Sequence, residues 1–498
     1  MRKRRLLINT GASVIHQIIS IVCGFILPRL ILSHYGSSVN GLVSSITQFL
    51  GFVTLMDMGV GAVVQSSLYK PLAEKDTYKI SQIMAASNQF FSRIAIVLCI
   101  YSAILMAVYP FFIDDSIGVV GTSVLVFSIS LSMIAQYFFG ITNQLLLNAD
   151  QKSYIQLLTT TGTTILNTLM GCLCIYMNTS IQTVKLISSF VLFLRPLIYS
   201  IYVKRNYSLD RRVSFSKDVL TQKWDALCQH IATFVVDKTD VVVLTFLSTL
   251  KNVSVYTVYQ LVVACLYHCC QTLVTGIQSL FGDMIAKGEK QKLLVTFSQF
   301  EWIFHFFVSL IYGCSGVLLV SFVGIYTSGI NDANYINPVF SWIMTISYFF
   351  CSLRCFYNIV IKAAGHYRQT QKGAIIEAVL NIFISIIAVW KFGLVGVAVG
   401  TMISMAYRVC YFNIYMRNHI LNRDIMNFIK NLMIDVLVFV CIFFTTCHFS
   451  LNATTYFSWM LLSLKVFIFS FVEAFIINFI FYNKVILSIL ALLKGKKT

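Results

Sequence analysis

Apolar residues run through this chain in blocks of membrane length, each closed by a short polar interval. A helix needs ~20 apolar residues to cross bilayer hydrocarbon. Fourteen blocks are legible, at 6–33, 40–68, 83–109, 121–147, 154–178, 182–203, 226–249, 254–281, 295–323, 338–362, 374–391, 396–415, 428–450 and 458–481. The pattern predicts an all-α polytopic membrane protein with about 14 transmembrane helices. The longest polar-rich interval is Lys204–Trp224, so no separate water-soluble domain is expected.

Composition agrees and removes alternatives. Over 498 residues the mean hydropathy is +0.79, and only 11% of residues are charged, against ~25% in ordinary soluble proteins. Most soluble enzymes, nucleic-acid binders and secreted scaffolds are excluded. A net charge of +18 would otherwise suggest nucleic acid, but 27 of the 37 Lys and Arg fall in the intervals on the side of the termini. The opposite side holds only Lys185, Lys251 and Lys391, in or next to the intervals there. By the positive-inside rule, both termini are cytoplasmic and no nucleic acid is needed to explain the charge. The basic start and long first block, without a small-residue cleavage site, read as an uncleaved signal-anchor. Most of the 14 cysteines lie in apolar blocks, where cysteine is a small hydrophobe, and none has zinc-ligand spacing. No metal or other resident cofactor is expected.

An offset of 215 residues brings Tyr69–Asp76 onto Met284–Gln291, and Leu147–Lys152 onto Lys362–Tyr367. Loops matching at equivalent topological places indicate duplicated halves. The predicted organisation is an N-terminal lobe over 1–203 (spans 1–6), a basic linker over 204–225, and a second lobe over 226–415 (spans 7–12). Two further helices and a cytoplasmic tail occupy 416–498. The linker interleaves Val213, Phe215, Val219, Leu220 and Trp224 with Lys and Arg, the pattern of an amphipathic surface helix.

Several segments carry a family resemblance: Asn9-Thr-Gly-Ala-Ser13, Pro28-Arg-Leu-Ile-Leu-Ser-His-Tyr-Gly36, Asn40-Gly-Leu42, Asp57-Met-Gly-Val-Gly61 and Leu147-Asn-Ala-Asp-Gln-Lys-Ser-Tyr154. His230 through Asp240, followed by Val253-Ser-Val-Tyr256, is similar to the opening of that family's second lobe. The chain resembles polysaccharide repeat-unit flippases of the Wzx type, within the multidrug/oligosaccharidyl-lipid/polysaccharide exporter superfamily. The resemblance implies two six-helix lobes in a V around a central cavity. It also implies export of an undecaprenyl-diphosphate-linked oligosaccharide across a bacterial plasma membrane. Membrane lipids would be partners, along with a polysaccharide polymerase and glycosyltransferases.

Ionisable groups at mid-bilayer cost at least ~2.5–3.5 kcal/mol and should face a cavity or a partner. The bases inside the blocks are Arg29, Arg93, Arg195, Lys238, Arg354, Arg408 and Lys465. Arginine's planar fork suits phosphate oxygens, and lysine adds a compact charge. Arg93, Arg354, Arg195, Arg29 and Lys238 are therefore candidates for binding a lipid diphosphate. The competing reading is that each neutralises an acid, as Asp237 or Asp240 could for Lys238, or snorkels to an interface. Arg408 and Lys465 are read as structural.

Among the acids, Asp57, Asp240 and Asp237 are candidates for coupling to H+ or Na+ or for gating. Glu301, Glu377 and Asp435 are read as structural. Polar stripes at helical spacing recur in three blocks: Asn9, Ser13, His16 and Ser20; His230, Thr233, Asp237 and Asp240; His268, Gln271, Thr275 and Gln278. Such stripes are too costly to expose to lipid, and suggest a shared aqueous cavity. A satisfied buried hydrogen-bonder is the plainer reading for each histidine. Thr159–Thr164 and Asn167 suit close helix packing.

Two rival functions remain. A drug exporter of the same superfamily would favour acidic and aromatic lining over deep bases. A membrane-embedded polymerase or glycosyltransferase needs catalytic groups in a sizeable outer loop. Here the largest, Gly324–Pro338, holds only Asp332, and Asp114–Asp115 suit an exposed turn. No P-loop is present, so direct ATP hydrolysis is not expected.

Overall fold

The computed structural model describes residues 2–493 except 58–59, 113–116, 211–223, 276, 447–448 and 450–452. Among the described residues there are helices and no strand. They are α1 (Arg2–Gly51), α2 (Val60–Glu74), α3 (Thr77–Val108), α4 (Gly118–Ala135), α5 (Ile141–Ala149), α6 (Ser153–Tyr176), α7 (Ile181–Asn206) and α8 (Trp224–Leu247). There follow α9 (Leu250–Thr275), α10 (Gln278–Ala286), α11 (Lys290–Tyr326), α12 (Pro338–Ala363), α13 (Gln371–Phe392), α14 (Leu394–Met416), α15 (Met426–Thr446) and α16 (Tyr456–Leu493).

Twelve helices among the described residues are long and apolar enough to cross a membrane, against the fourteen blocks in the sequence. Two places account for the difference. The first candidate runs unbroken by composition from Ile8 to Met56, yet α1 breaks at Gly36, with φ 83° and ψ 175°. Only glycine takes that backbone without strain, so one long apolar run serves as two helices. The block at 226–249 falls on α8, which is not among the twelve.

The second block is itself interrupted. Phe52–Met56 forms a 3₁₀ turn ending at Asp57, and α2 starts only at Val60. The 215-residue offset reappears in helix starts: Thr77 of α3 and Ser153 of α6 fall within three residues of the starts of α11 and α13. Polar side chains stop the helices where the sequence turns. Asp76, Ser180 and Asn337 each accept a hydrogen bond from a first-turn amide of α3, α7 and α12.

The chain forms two compact units, 1–234 with 248–254 and 235–247 with 255–498. In the first unit, Leu42, Leu50, Val64, Leu98, Leu125 and Leu146 form a fully buried core. In the second, Phe281, Phe297, Phe356 and Tyr357 do so, while Val438, Ile442 and Val466 seat α15 and α16 beside α11. The α13–α14 hairpin depends on small residues. A Cβ at Gly396 would stand 2.2 Å from the Ala388 carbonyl oxygen, and one at Gly400 2.2 Å from Ser385 Oγ. No side chain fits either site, as expected where transmembrane backbones approach closely. The amphipathic stretch expected at 204–225 lies mostly outside the described residues, as do Asp114 and Asp115.

Candidate functional site

In the first unit, a cavity of about 610 Å³ brings Asp57 and Arg195 to one place, with Thr54, Gln136, Tyr137, Gln144, Thr160 and Tyr199 around them. Local irregularity builds it. Asp57 sits in the break between the 3₁₀ turn and α2. Opposite, Gln136–Gly140 forms a π-helical turn between α4 and α5, with the Ile141 amide donating to the Gln136 carbonyl. Such turns re-aim side chains inside a helix. Here the Tyr137 hydroxyl donates to Asp57 Oδ2 at 3.1 Å.

Arg195 comes from α7 and is half-buried. Its Nε donates to Thr163 Oγ1 at 2.7 Å and its Nη2 to Thr164 Oγ1 at 2.9 Å. Among the described residues no carboxylate lies within ion-pair distance of it. The threonine run, read from sequence as packing, therefore orients a cation. Thr161, from the same run, meets His16 Nδ1 at 3.0 Å. Thr161 already donates its proton to the Leu157 carbonyl at 2.7 Å, so His16 is the donor through Nδ1–H. Sequence reasoning missed Tyr137, Thr163 and Thr164, because a hydroxyl's partner across helices leaves no trace in periodicity.

The remaining bases of this unit differ in setting. Arg93, midway along α3, is exposed and has no hydrogen-bond or ionic partner among the described residues. Arg29 follows Pro28 in α1 and is half-buried.

In the second unit, Asp240 is buried at the end of a short network. Its Oδ2 accepts from the Tyr256 hydroxyl and from Thr401 Oγ1, both at 2.6 Å. Asn381 Nδ2 donates to the same Thr401 oxygen at 3.0 Å. Lys238 is half-buried two residues earlier on α8. His230 and Asp237 belong to α8, but their side chains lie outside the described residues. On α9, His268 is exposed and its Nδ1 lies 3.4 Å from Gln271 Oε1.

Arg354 is handled differently from Arg195. It is buried, and its Nη1 donates to Glu377 Oε1 at 2.7 Å. Arg408 reaches the other oxygen of Glu377 at 3.2 Å and lies over the Phe412 ring, 4.2 Å from its centroid. One buried carboxylate thus holds two arginines from α12 and α14.

At the loop that joins α5 to α6, Asn9 donates to the Gln151 carbonyl at 3.1 Å and accepts from the Tyr154 amide at 2.9 Å. Tyr207 donates to Asp150 at 2.5 Å, and Lys152 pairs with Asp150 at 2.7 Å. Burial and its bond to Asp150 push the Tyr207 hydroxyl up to about 12. Burial works against the Lys152 charge, but bonds to Asp150 and Tyr207 hold its pKa above the ordinary value. Two of the motifs quoted from the sequence therefore meet in one locked loop.

No protein-family model and no curated protein sequence matches the chain. Solved structures do. The lipid II flippase MurJ, in an inward closed conformation, matches with a TM-score of 0.72 at 16% identity, over 96% of this chain and 100% of that one. An inward-facing MATE-family multidrug resistance transporter of the MOP superfamily matches with 0.63 at 13%, over 82% and 98%. A eukaryotic MATE transporter matches with 0.57 at 12%, over 83% and 95%. The chain is a multi-pass membrane protein with the fold of these transporters.

Proposed function

We propose that the chain flips an undecaprenyl-diphosphate-linked oligosaccharide repeat unit from the cytoplasmic to the outer leaflet of a bacterial plasma membrane, by alternating access. The observation that carries this reading is Arg195, a guanidinium on a cavity that also holds Asp57, aimed by two neutral hydroxyls and bonded to no carboxylate among the described residues. A cation so placed keeps its affinity for an anion, and its fork matches phosphate oxygens. Arg93 supports the same reading. An exposed guanidinium midway along a membrane helix is too costly to leave against lipid and calls for water or an anionic ligand. Arg29 and Lys238 would serve the diphosphate at other stages. The likeness to the lipid II flippase covers 96% of the chain, whereas the inward-facing MATE structure covers 82% of it. That extent favours a lipid-linked cargo, with the polyprenyl tail outside the helical lobes.

Asp57 and Asp240 are the proposed coupling carboxylates, taking up H+ or Na+. Asp240 has hydroxyl oxygens beside it, and the Asn381 Oδ1 next to them is buried with no hydrogen-bond partner among the described residues. Both termini face the cytoplasm in this reading, and a polymerase and glycosyltransferases act on the same lipid-linked unit before and after it.

Deleting the gene in its source cell tests the proposal. The expected result is lipid-linked oligosaccharide trapped facing the cytoplasm and loss of surface polysaccharide. Normal polysaccharide with altered drug resistance would overturn it in favour of a drug exporter, the reading to which the MATE likeness points.

A further inference from the structure

Five ionisable side chains from four elements of the second unit form one buried chain of hydrogen bonds, and the direction of each bond follows from the one before. Arg423, between α14 and α15, has no acceptor atoms. Its Nη1 donates to Glu301 Oε2 at 2.5 Å and its Nη2 to Oε1 at 2.8 Å. Glu301, on α11, is therefore an ionised acceptor at both oxygens. The Tyr357 hydroxyl, on α12, lies 2.8 Å from Glu301 Oε1 and must spend its one proton there. Its oxygen is then an acceptor toward His305 Nε2, 2.7 Å away on α11, so Nε2 carries a proton. The other ring nitrogen, Nδ1, lies 2.6 Å from Asp435 Oδ2 on α15, too close to lack a proton between them. His305 and Asp435 expose only 5% and 3% of their side chains.

We propose that the His305–Asp435 pair is a buried proton-binding site, an imidazolium on a carboxylate, whose proton latches α15 onto α11 and α12. With the proton, Arg423 balances Glu301 and His305 balances Asp435. Without it, the cluster carries one uncompensated buried negative charge, which burial strongly disfavours. The other groups around the pair do not supply that charge. Ser309 on α11 is neutral, its hydroxyl donating to the Phe306 carbonyl at 3.2 Å. Tyr482 on α16 is occupied with Asn431 of α15, and Lys430 donates to the Phe481 carbonyl at 3.2 Å. Proton release therefore accompanies separation of α15 from its neighbours. The site is separate from Arg195 and does not depend on what the chain carries.

The latch is tested on the purified full-length protein in detergent. On this proposal, losing the latch proton at rising pH weakens the fold, by up to tenfold in the folding equilibrium per pH unit. In Asp435→Asn, His305 can lose its proton and accept from Tyr357 instead. The expected result is a thermal midpoint that falls from pH 7 to 9 in the wild type and much less in Asp435→Asn. Parallel curves would overturn the proposal. A second measurement needs no variant: nitrogen NMR of the histidine-labelled wild type in lipid at pH 8.5 should show one of the 8 histidines with both ring nitrogens protonated. A spectrum of neutral rings alone would overturn it.

Discussion

The two units treat their membrane arginines in opposite ways. In the first, Arg195 leans on Thr163 and Thr164, and Arg93 is exposed without a partner among the described residues. In the second, Arg354 and Arg408 share Glu377, and Arg423 grips Glu301. A neutral hydroxyl orients a guanidinium and leaves its charge uncancelled, whereas a carboxylate cancels it. On the proposed reading, the same residue type marks a place for an external anion in one unit, while in the other it is tied to a carboxylate. Position alone does not distinguish them, since Arg195 and Arg354 both lie within apolar blocks. What separates them is the chemistry of the partner.

The largest effect is expected at Glu377. Glu377→Ala leaves Arg354 and Arg408 buried without their carboxylate, and removing one partner of a buried pair costs about 3–5 kcal/mol. The expected outcome is loss of folded protein, read as membrane yield and thermal midpoint. A stable variant would show that these arginines are not held as ties.

Arg195→Ala should do the reverse. Charge-assisted hydrogen bonds are worth about 1.5–3 kcal/mol, so the expected loss in flipping is ~10–100-fold, with the thermal midpoint little changed. Flipping is read from outward-facing lipid-linked oligosaccharide in cells with matched protein levels. A smaller effect is expected from Thr163→Val with Thr164→Val, which keeps the charge but loosens its aim. About 1 kcal/mol is at stake for each hydrogen bond, and Arg195→Lys in the native background should resemble it.

The smallest effect concerns the loop that fastens the first unit. Tyr207 is pushed up to about 12 in the fold, against an ordinary value near ~10. A raised value contributes stability that is complete below about pH 10 and is lost as pH climbs toward 12. Tyr207→Phe should remove that alkaline sensitivity and change little at neutral pH, as a thermal midpoint series would show.

Much of the architecture was legible in the apolar blocks, because lipid obliges every spanning segment to satisfy its own backbone. The exceptions are physical. Gly36 divides a run that composition leaves continuous, and Asp57 ends a helix that the blocks predict to pass through it. Arg423 illustrates a deeper limit. Counted along the sequence it is one of the loop charges that orient the chain, but the fold turns it inward onto Glu301. His305 drew no attention, since one histidine in an apolar block carries no periodic signal. Glu301, Glu377 and Asp435 were readable as structural acids, although their partners were not. Hydropathy locates a charge in depth, and only the packed helices decide what stands beside it.

On the proposed reading, Arg195 meets an anion that Arg354 does not. The most direct measurement is flipping in purified proteoliposomes, using an undecaprenyl-diphosphate oligosaccharide with a fluorescent sugar and an impermeant quencher added outside. Wild-type protein should equalise the probe between leaflets, and Arg195→Ala of unchanged thermal midpoint should slow that exchange by ten-fold or more. Exchange at the wild-type rate by Arg195→Ala would contradict the account.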